Sequence, residues 1–214
     1  MTKNSSPRIQ APWIAAKLDS NDLESPHWQS AAPVEIIGRW SGEPAPSKHH
    51  AEARILWTDH ALLVRFVCRQ AEPPVVSSHP QLDQKTIGLW DRDVCEIFIA
   101  PDPEMPSRYF EFEAAPTGEW VDLAVSFEGT TRVTDFDYAS GMSAFAATAD
   151  DRLTIAMRIP WTSSIPKPEK GESWRVNLSR CVGVGNHRYL VWQPSFTPEP
   201  NFHVPEVFGW LEFV

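Results

Sequence analysis

The chain has 214 residues and carries 28 Asp and Glu against 19 Lys and Arg, a formal net charge of −9 that excludes the basic surface of a nucleic-acid binder. Apolar residues at 42% and charged residues at 22% exclude a disordered chain and describe a globular one able to bury a sizeable core. The 20 Pro, 10 Trp and 11 Phe beside 3 Tyr exclude a helical bundle and favour short strands joined by proline-stiffened loops.

Residues 1–18 read as an N-terminal arm and 19–214 as one β-sandwich domain. Met1 to Gln10 is too polar for the apolar core of a secretory signal, and no stretch reaches membrane-spanning length. The residues as they stand predict a cytoplasmic chain with no membrane partner, or a secreted or periplasmic one if a signal peptide has been removed. Asn21 to Ala31, with Asp22, Glu24, Pro26 and Trp28, suits a short capped helical turn that drops Trp28 into a core, the only helix expected. Strands follow at Val34–Trp40 and Glu52–Thr58, separated by a loop holding Pro44 and Pro46. The second joins Leu62–Gln70 through the tight turn Asp59-His60-Ala61. Ala71 to Trp90 has no sustained periodicity and is the longest irregular segment, the kind that usually serves function. Asp93–Ala100, Arg108–Ala115 and Glu119–Phe127 form an antiparallel meander turned at Pro101-Asp102-Pro103 and Pro116-Thr117-Gly118. Along its middle strand Phe110, Phe112 and Ala114 point one way and Tyr109, Glu111 and Glu113 the other. One face is therefore apolar, and the acidic one faces solvent or a site. Ala144–Ala149 and Arg152–Ile159 flank the Asp150-Asp151 turn; Ser173–Val182, Arg188–Trp192 and Trp210–Val214 complete the series. Roughly ten strands without an internal repeat predict an all-β fold, an antiparallel β-sandwich of two packed sheets with at most a short helix.

Chemistry-bearing clusters are few. Cys68, Cys95 and Cys181 are an odd set without CxxC spacing and read as buried free thiols. Glu96, Glu111 and Glu113 lie on adjacent strands and offer the two carboxyls of glycoside hydrolysis, although a solvated acidic face is the commoner explanation. No nucleophile elbow and no phosphate-cradling glycine loop is present. The sequons at Asn4 and Asn177 are triplets that often arise by chance. His49-His50-Ala51-Glu52 would place its imidazoles on opposite strand faces, which disfavours one shared ion. Asp135, Asp137 and Gly141 have calcium-loop character, but the closing glutamate would fall at Ala146; an irregular calcium site stays open and the metal ligands are unknown. Met142, Met157 and His187 are haem-ligand types at no diagnostic spacing.

Ten Trp exceed the needs of a core this size, so some are expected at the surface, where a flat indole suits the C–H face of a pyranose ring. Trp90, ending the long irregular loop, and Trp192, preceding the proline-rich loop Pro194–Pro205, are the two best placed; the alternative is two more core indoles.

Leu89-Trp90-Asp91-Arg92-Asp93-Val94-Cys95-Glu96-Ile97-Phe98-Ile99 resembles the Trp-x-x-Asp-x-x-Glu strand of family 9 carbohydrate-binding modules, in the DOMON-like β-sandwich superfamily. Tyr109-Phe110-Glu111-Phe112 resembles that family's next strand. Ile159-Pro160-Trp161 with Gly171 to Asn177, and Trp192 with Asn201 to Gly209, resemble its later signatures in the same order, so the likeness spans about Asp19 to Val214. The resemblance implies a non-catalytic jelly-roll-like sandwich that holds a mono- or oligosaccharide, in characterised modules often a reducing end. By position Trp90 and Trp192 would clamp the sugar and Glu96 would accept hydrogen bonds from its hydroxyls; Arg108, Glu111, Asn201 and His203 are candidate secondary contacts that the resemblance does not itself assign, and Asn201 to Glu206 reads equally as a loop covering the sheet end. Family members also bind structural calcium; no ligand set transfers residue by residue, and no other cofactor is certain. Typical members are appended to secreted glycoside hydrolases. Three alternatives stay open: a haem-binding electron-transfer sandwich, a glycosidase-like enzyme pairing Glu96 with Glu111 or Glu113, and a module that binds another protein through its aromatic edge.

Overall fold

The computed structural model describes residues 7–185 and 188–214, so Asn4 and His187 lie outside the described residues. Fourteen strands among these residues form two sheets. The larger sheet runs in the order β1 (Arg8–Ala11), β14 (Gly209–Phe213), β12 (Ser173–Cys181), β6 (Val94–Ala100), β7 (Tyr109–Ala114), β8 (Trp120–Glu128) and β9 (Thr131–Asp135). Two short strands, β13 (Tyr189–Val191) and β3 (Gly38–Arg39), extend it beside β12. The smaller sheet runs β10 (Ser143–Ala149), β11 (Arg152–Pro160), β5 (Ala61–Arg69), β4 (Ala51–Trp57) and β2 (Val34–Ile36). No helix is long and apolar enough to cross a membrane among the described residues.

The chain departs from the sequence reading at three strands. Val34–Trp40 is two strands in different sheets, because the chain crosses the sandwich edge at Ile37, which is 43% exposed. Residues 8–11, within the polar arm, pair in parallel with β14 and bury Ile9 and Ala11. The strand β9 was not expected at all. The Pro26–Ser30 turn is 3-10 and buries Trp28 as anticipated, and 3-10 turns at Ser47–His49, Leu89–Asp91 and Pro205–Val207 join it.

The alternation of the central strands builds three apolar layers. Between the sheets, Cys95, Ile97 and Ile99 of β6, Phe112 of β7 and Val176 and Leu178 of β12 meet Val64 and Phe66 of β5 and Ile155 and Met157 of β11. Outside the smaller sheet, Leu56, Leu63 and Ala156 pack under Ile14, Leu18 and Trp28. Outside the larger sheet lies a third cluster, Phe98, Tyr109, Val121, Leu123 and Phe208, which the segments around Leu89 and Phe202 cover. Strand β6 is thus buried on both faces along its whole length. A carboxylate on it is withdrawn from bulk water.

Candidate functional site

Three glutamates share the outer face of the larger sheet as a direct result of strand periodicity and register. Glu96 lies opposite Glu113 and Phe98 opposite Glu111, so all four side chains project from one side of β6 and β7. The expectation that this acidic face is solvated is corrected by the covering loops: Glu96, Glu111 and Glu113 are 2%, 4% and 0% exposed. Loss of hydration penalises the ionised carboxylate. Burial pushes Glu96 up to about 7 and Glu111 up to about 8, and with the neighbouring carboxyls it holds Glu113 well above the ordinary range. Ser179 Oγ donates to Glu96 Oε2 at 2.5 Å, and the Cys181 thiol lies 3.5 Å from Oε1. Neither Glu113 oxygen finds a donor among the described residues.

Above this floor opens a cavity of about 300 Å3. Its walls are Trp90 and Asp91 from the 3-10 turn, Tyr189 on β13, Arg132 and Thr134 on β9 with Phe136 just beyond, and Asn201, Phe202 and His203 from the C-terminal loop. Each wall is fixed by its own local chemistry. Gly88, at φ +82°, turns the long irregular segment into the 3-10 turn, a conformation glycine adopts without strain. The Arg188 guanidinium then holds that turn by donating to the carbonyls of Trp90, Asp91 and Arg92 at 3.2, 3.1 and 2.7 Å. Asn201 Oδ1 accepts the His203 N–H at 2.9 Å, and Phe202 packs edge-on against Tyr189 with centroids 6.1 Å apart. His203 Nδ1 lies 2.8 Å from the Tyr109 hydroxyl. Burial pushes the His203 imidazole down to about 3, so it stands neutral here at physiological pH.

The structure brings Trp90, Glu96, Glu111, Asn201 and His203 together around this cavity, with Glu113 beneath them. Trp192 and Arg108 do not line it. Arg108 is exposed just before β7. The Trp192 ring lies on the backbone of Gly209, where an added Cβ would stand 2.4 Å from its Cη2, and it packs against the core between the sheets. Arg132, Thr134, Phe136 and Tyr189 were missed by sequence reasoning. Their signal was weak but present: Glu128-Gly129-Thr130-Thr131 is a two-residue hairpin turn that opens β9.

Other candidate clusters resolve into structural roles. His49 Nε2 faces Glu72 at 3.2 Å, whereas His50 Nε2 faces the Ala45 carbonyl at 3.0 Å, so the pair does not converge. Met142 and Met157 sit in the core between the sheets. All three cysteines are buried and free, with Cys68 and Cys95 sulfurs 3.5 Å apart across that core.

The segment with calcium-loop character wraps a lysine. Lys85 Nζ lies 2.8 Å from both the carbonyl and Oδ1 of Asp122 and 3.2 Å from the Phe136 carbonyl, and it also donates to the Tyr138 carbonyl. That oxygen cage has the chemistry a hard cation seeks, but the chain's own ammonium is bonded to it. The residues here therefore do not fit calcium. Among the described residues no group of three or more His, Cys, Asp or Glu side chains could hold a metal ion.

No curated protein matches the sequence significantly. A solved structure of a Bacteroides uniformis protein inferred to bind carbohydrate superposes with a TM-score of 0.75 at 18% identity, covering 98% of this chain and 100% of that one. A carbohydrate-binding module family 9 domain from Caldicellulosiruptor kristjanssonii, solved with cellotriose, superposes with a TM-score of 0.66 at 14% identity, over 97% of this chain and 93% of that one. The structure with glucose from the same organism gives a TM-score of 0.67 at 14% identity, with coverages of 97% and 96%. At these identities the likeness shows the shared fold. The family model described as carbohydrate family 9 binding domain-like matches residues 22–214. The chain belongs to that family.

Proposed function

We propose that the protein is a non-catalytic carbohydrate-binding module that takes a sugar ring into the cavity over β6 and β7. The observation that carries this reading is the cavity itself: about 300 Å3, with Trp90, Tyr189 and Phe202 beside Glu96, Glu111, Asn201 and neutral His203. Aromatic faces accept the apolar side of a pyranose, while carboxyls, an amide and an imidazole match its hydroxyls. The cellotriose and glucose complexes of the neighbouring family 9 modules support a sugar as the ligand class. Trp90 stacks on the ring in this reading, with Glu96 and Glu111 accepting from hydroxyls.

Membership of a carbohydrate-binding family favours binding over glycoside hydrolysis by the same carboxyls.

Calorimetric titration with glucose, cellobiose and xylo-oligosaccharides, repeated on Trp90→Ala, tests the proposal. Saturable binding weakened about tenfold or more by loss of the stacking face is expected. Full affinity in Trp90→Ala, or no binding of any sugar by the wild type, would overturn it. Trp192→Ala in the same titration distinguishes a two-indole clamp, which loses binding, from packing on Gly209, which loses stability alone.

A further inference from the structure

The cavity gathers buried carboxyls, Glu96 and Glu111 in its lining with Glu113 beneath, and among the described residues no buried cation lines it. Glu96 has two protein donors, from Ser179 and Cys181. Among the described residues Glu111 has no donor beyond the neighbouring Glu113 carboxyl: it is 4% exposed, lines the cavity, and stands 4.0 Å from His203 Nδ1. Its interaction with Glu113 is carboxyl to carboxyl, which requires a shared proton. Among the described residues the cation lining the cavity is Arg132, an exposed residue that eases Glu111 only from the solvent side, and Arg188 is committed to three backbone carbonyls. A hydroxyl can donate to Glu111 but leaves it protonated, whereas a ligand cation against it supplies the buried counter-charge that lets the carboxyl ionise in place.

Resting on the carbohydrate reading above, we propose that this cavity selects a sugar bearing a protonated amino group, with the ammonium seated against Glu111 between Trp90, Tyr189 and Phe202. A ligand ammonium supplies what the protein withholds. It neutralises the carboxylate through a charge-assisted hydrogen bond and is attracted by the faces of surrounding aromatic rings. Burial that keeps Glu111 protonated in the empty cavity then couples binding to proton release, since the carboxyl ionises as the ammonium arrives. The remaining groups facing it do not remove the effect: Asp91, Glu96 and Glu113 are acidic, His203 and Tyr109 are neutral, and Arg132 stands at the exposed wall.

The test is calorimetry on the full chain at pH 6.5 with glucosamine, glucose, N-acetylglucosamine and tetramethylammonium, in buffers of different ionisation enthalpy. Glucosamine is expected to bind about tenfold more tightly than glucose or N-acetylglucosamine, the worth of one charge-assisted contact, with release of a proton that glucose does not release. Glu111→Gln is expected to collapse the glucosamine-to-glucose affinity ratio towards one. Equal affinity of the wild type for glucose and glucosamine overturns the amino-sugar proposal and leaves carbohydrate binding standing. Tetramethylammonium binding with no sugar bound, or no binding by any probe, overturns both. The wild-type ratio decides the matter even if the variant fails to fold.

Discussion

Glu113 shows how position converts an ordinary residue into a liability held for a reason. It lies under the cavity with both oxygens lacking donors, and desolvation together with Glu96 and Glu111 raises its pKa. A neutral isostere removes that cost. Glu113→Gln is expected to raise the melting temperature at pH 8, and a lower value there would contradict the assigned burial. Lys85 presents the opposite case. Its ammonium compensates Asp122, whose side chain is 1% exposed, and gathers the Phe136 and Tyr138 carbonyls. Lys85→Met strands a buried carboxylate and should destabilise by about 3–5 kcal/mol in urea unfolding. Gly209 is required by contact rather than by φ: an added Cβ meets Trp192 Cη2 at 2.4 Å and the Pro7 carbonyl at 2.8 Å. Gly209→Ala should cost about 1–3 kcal/mol of overpacking, part of it relieved in Trp192→Ala; additive losses would show that the two residues do not touch.

The elements divide by how much of their placement is encoded locally. The meander of β6, β7 and β8 was legible because its strands are rich in β-branched and aromatic residues and are joined by Pro- and Gly-containing turns. The hairpin of β4 and β5 was legible as two apolar runs joined by the tight turn Asp59-His60-Ala61. The strand β1 was not, since Arg8 and Gln10 hide the buried Ile9 and Ala11, and only pairing with β14 makes it a strand. The break between β2 and β3 follows from the crossing between sheets at Ile37, which no local signal announces. Within the site, Trp90, Glu96, Glu111, Asn201 and His203 were found through family-like spacing, whereas the burial of the acidic face depended on loops distant in sequence. Some motif residues turn out to hold the scaffold. Asp93 Oδ1 accepts the Gly183 N–H at 2.7 Å, and Asn177 brackets Gln193 by donating to its carbonyl and accepting its N–H, both at 3.0 Å. Hydrogen exchange should be slowest in β6 and β12, covered on both faces, and fastest in the edge strands β9 and β10. Slow exchange confined to β10 would contradict this order.

At the level of the whole molecule, the buried carboxyls tie stability to pH with an inverted sign. Glu96 and Glu111 are raised to about 7 and about 8 from an ordinary 4.5, so the native state binds more protons than the unfolded chain between those values. Stability from these groups is fully present below pH 4.5 and declines as pH rises towards 7–8. Melting curves should accordingly show a higher melting temperature at pH 6 than at pH 8 without ligand. A sandwich closed by three apolar layers tolerates this cost and keeps an acidic, aromatic-walled cavity open on one face. Carbohydrate binding at that cavity is tested most directly by titrating glucose and glucosamine into the wild type and Trp90→Ala while following tryptophan fluorescence and heat. Saturable binding by the wild type, weakened about tenfold or more in the variant, is the outcome that binding over β6 and β7 requires. Undiminished binding in Trp90→Ala, or a wild type that binds neither sugar, would contradict it.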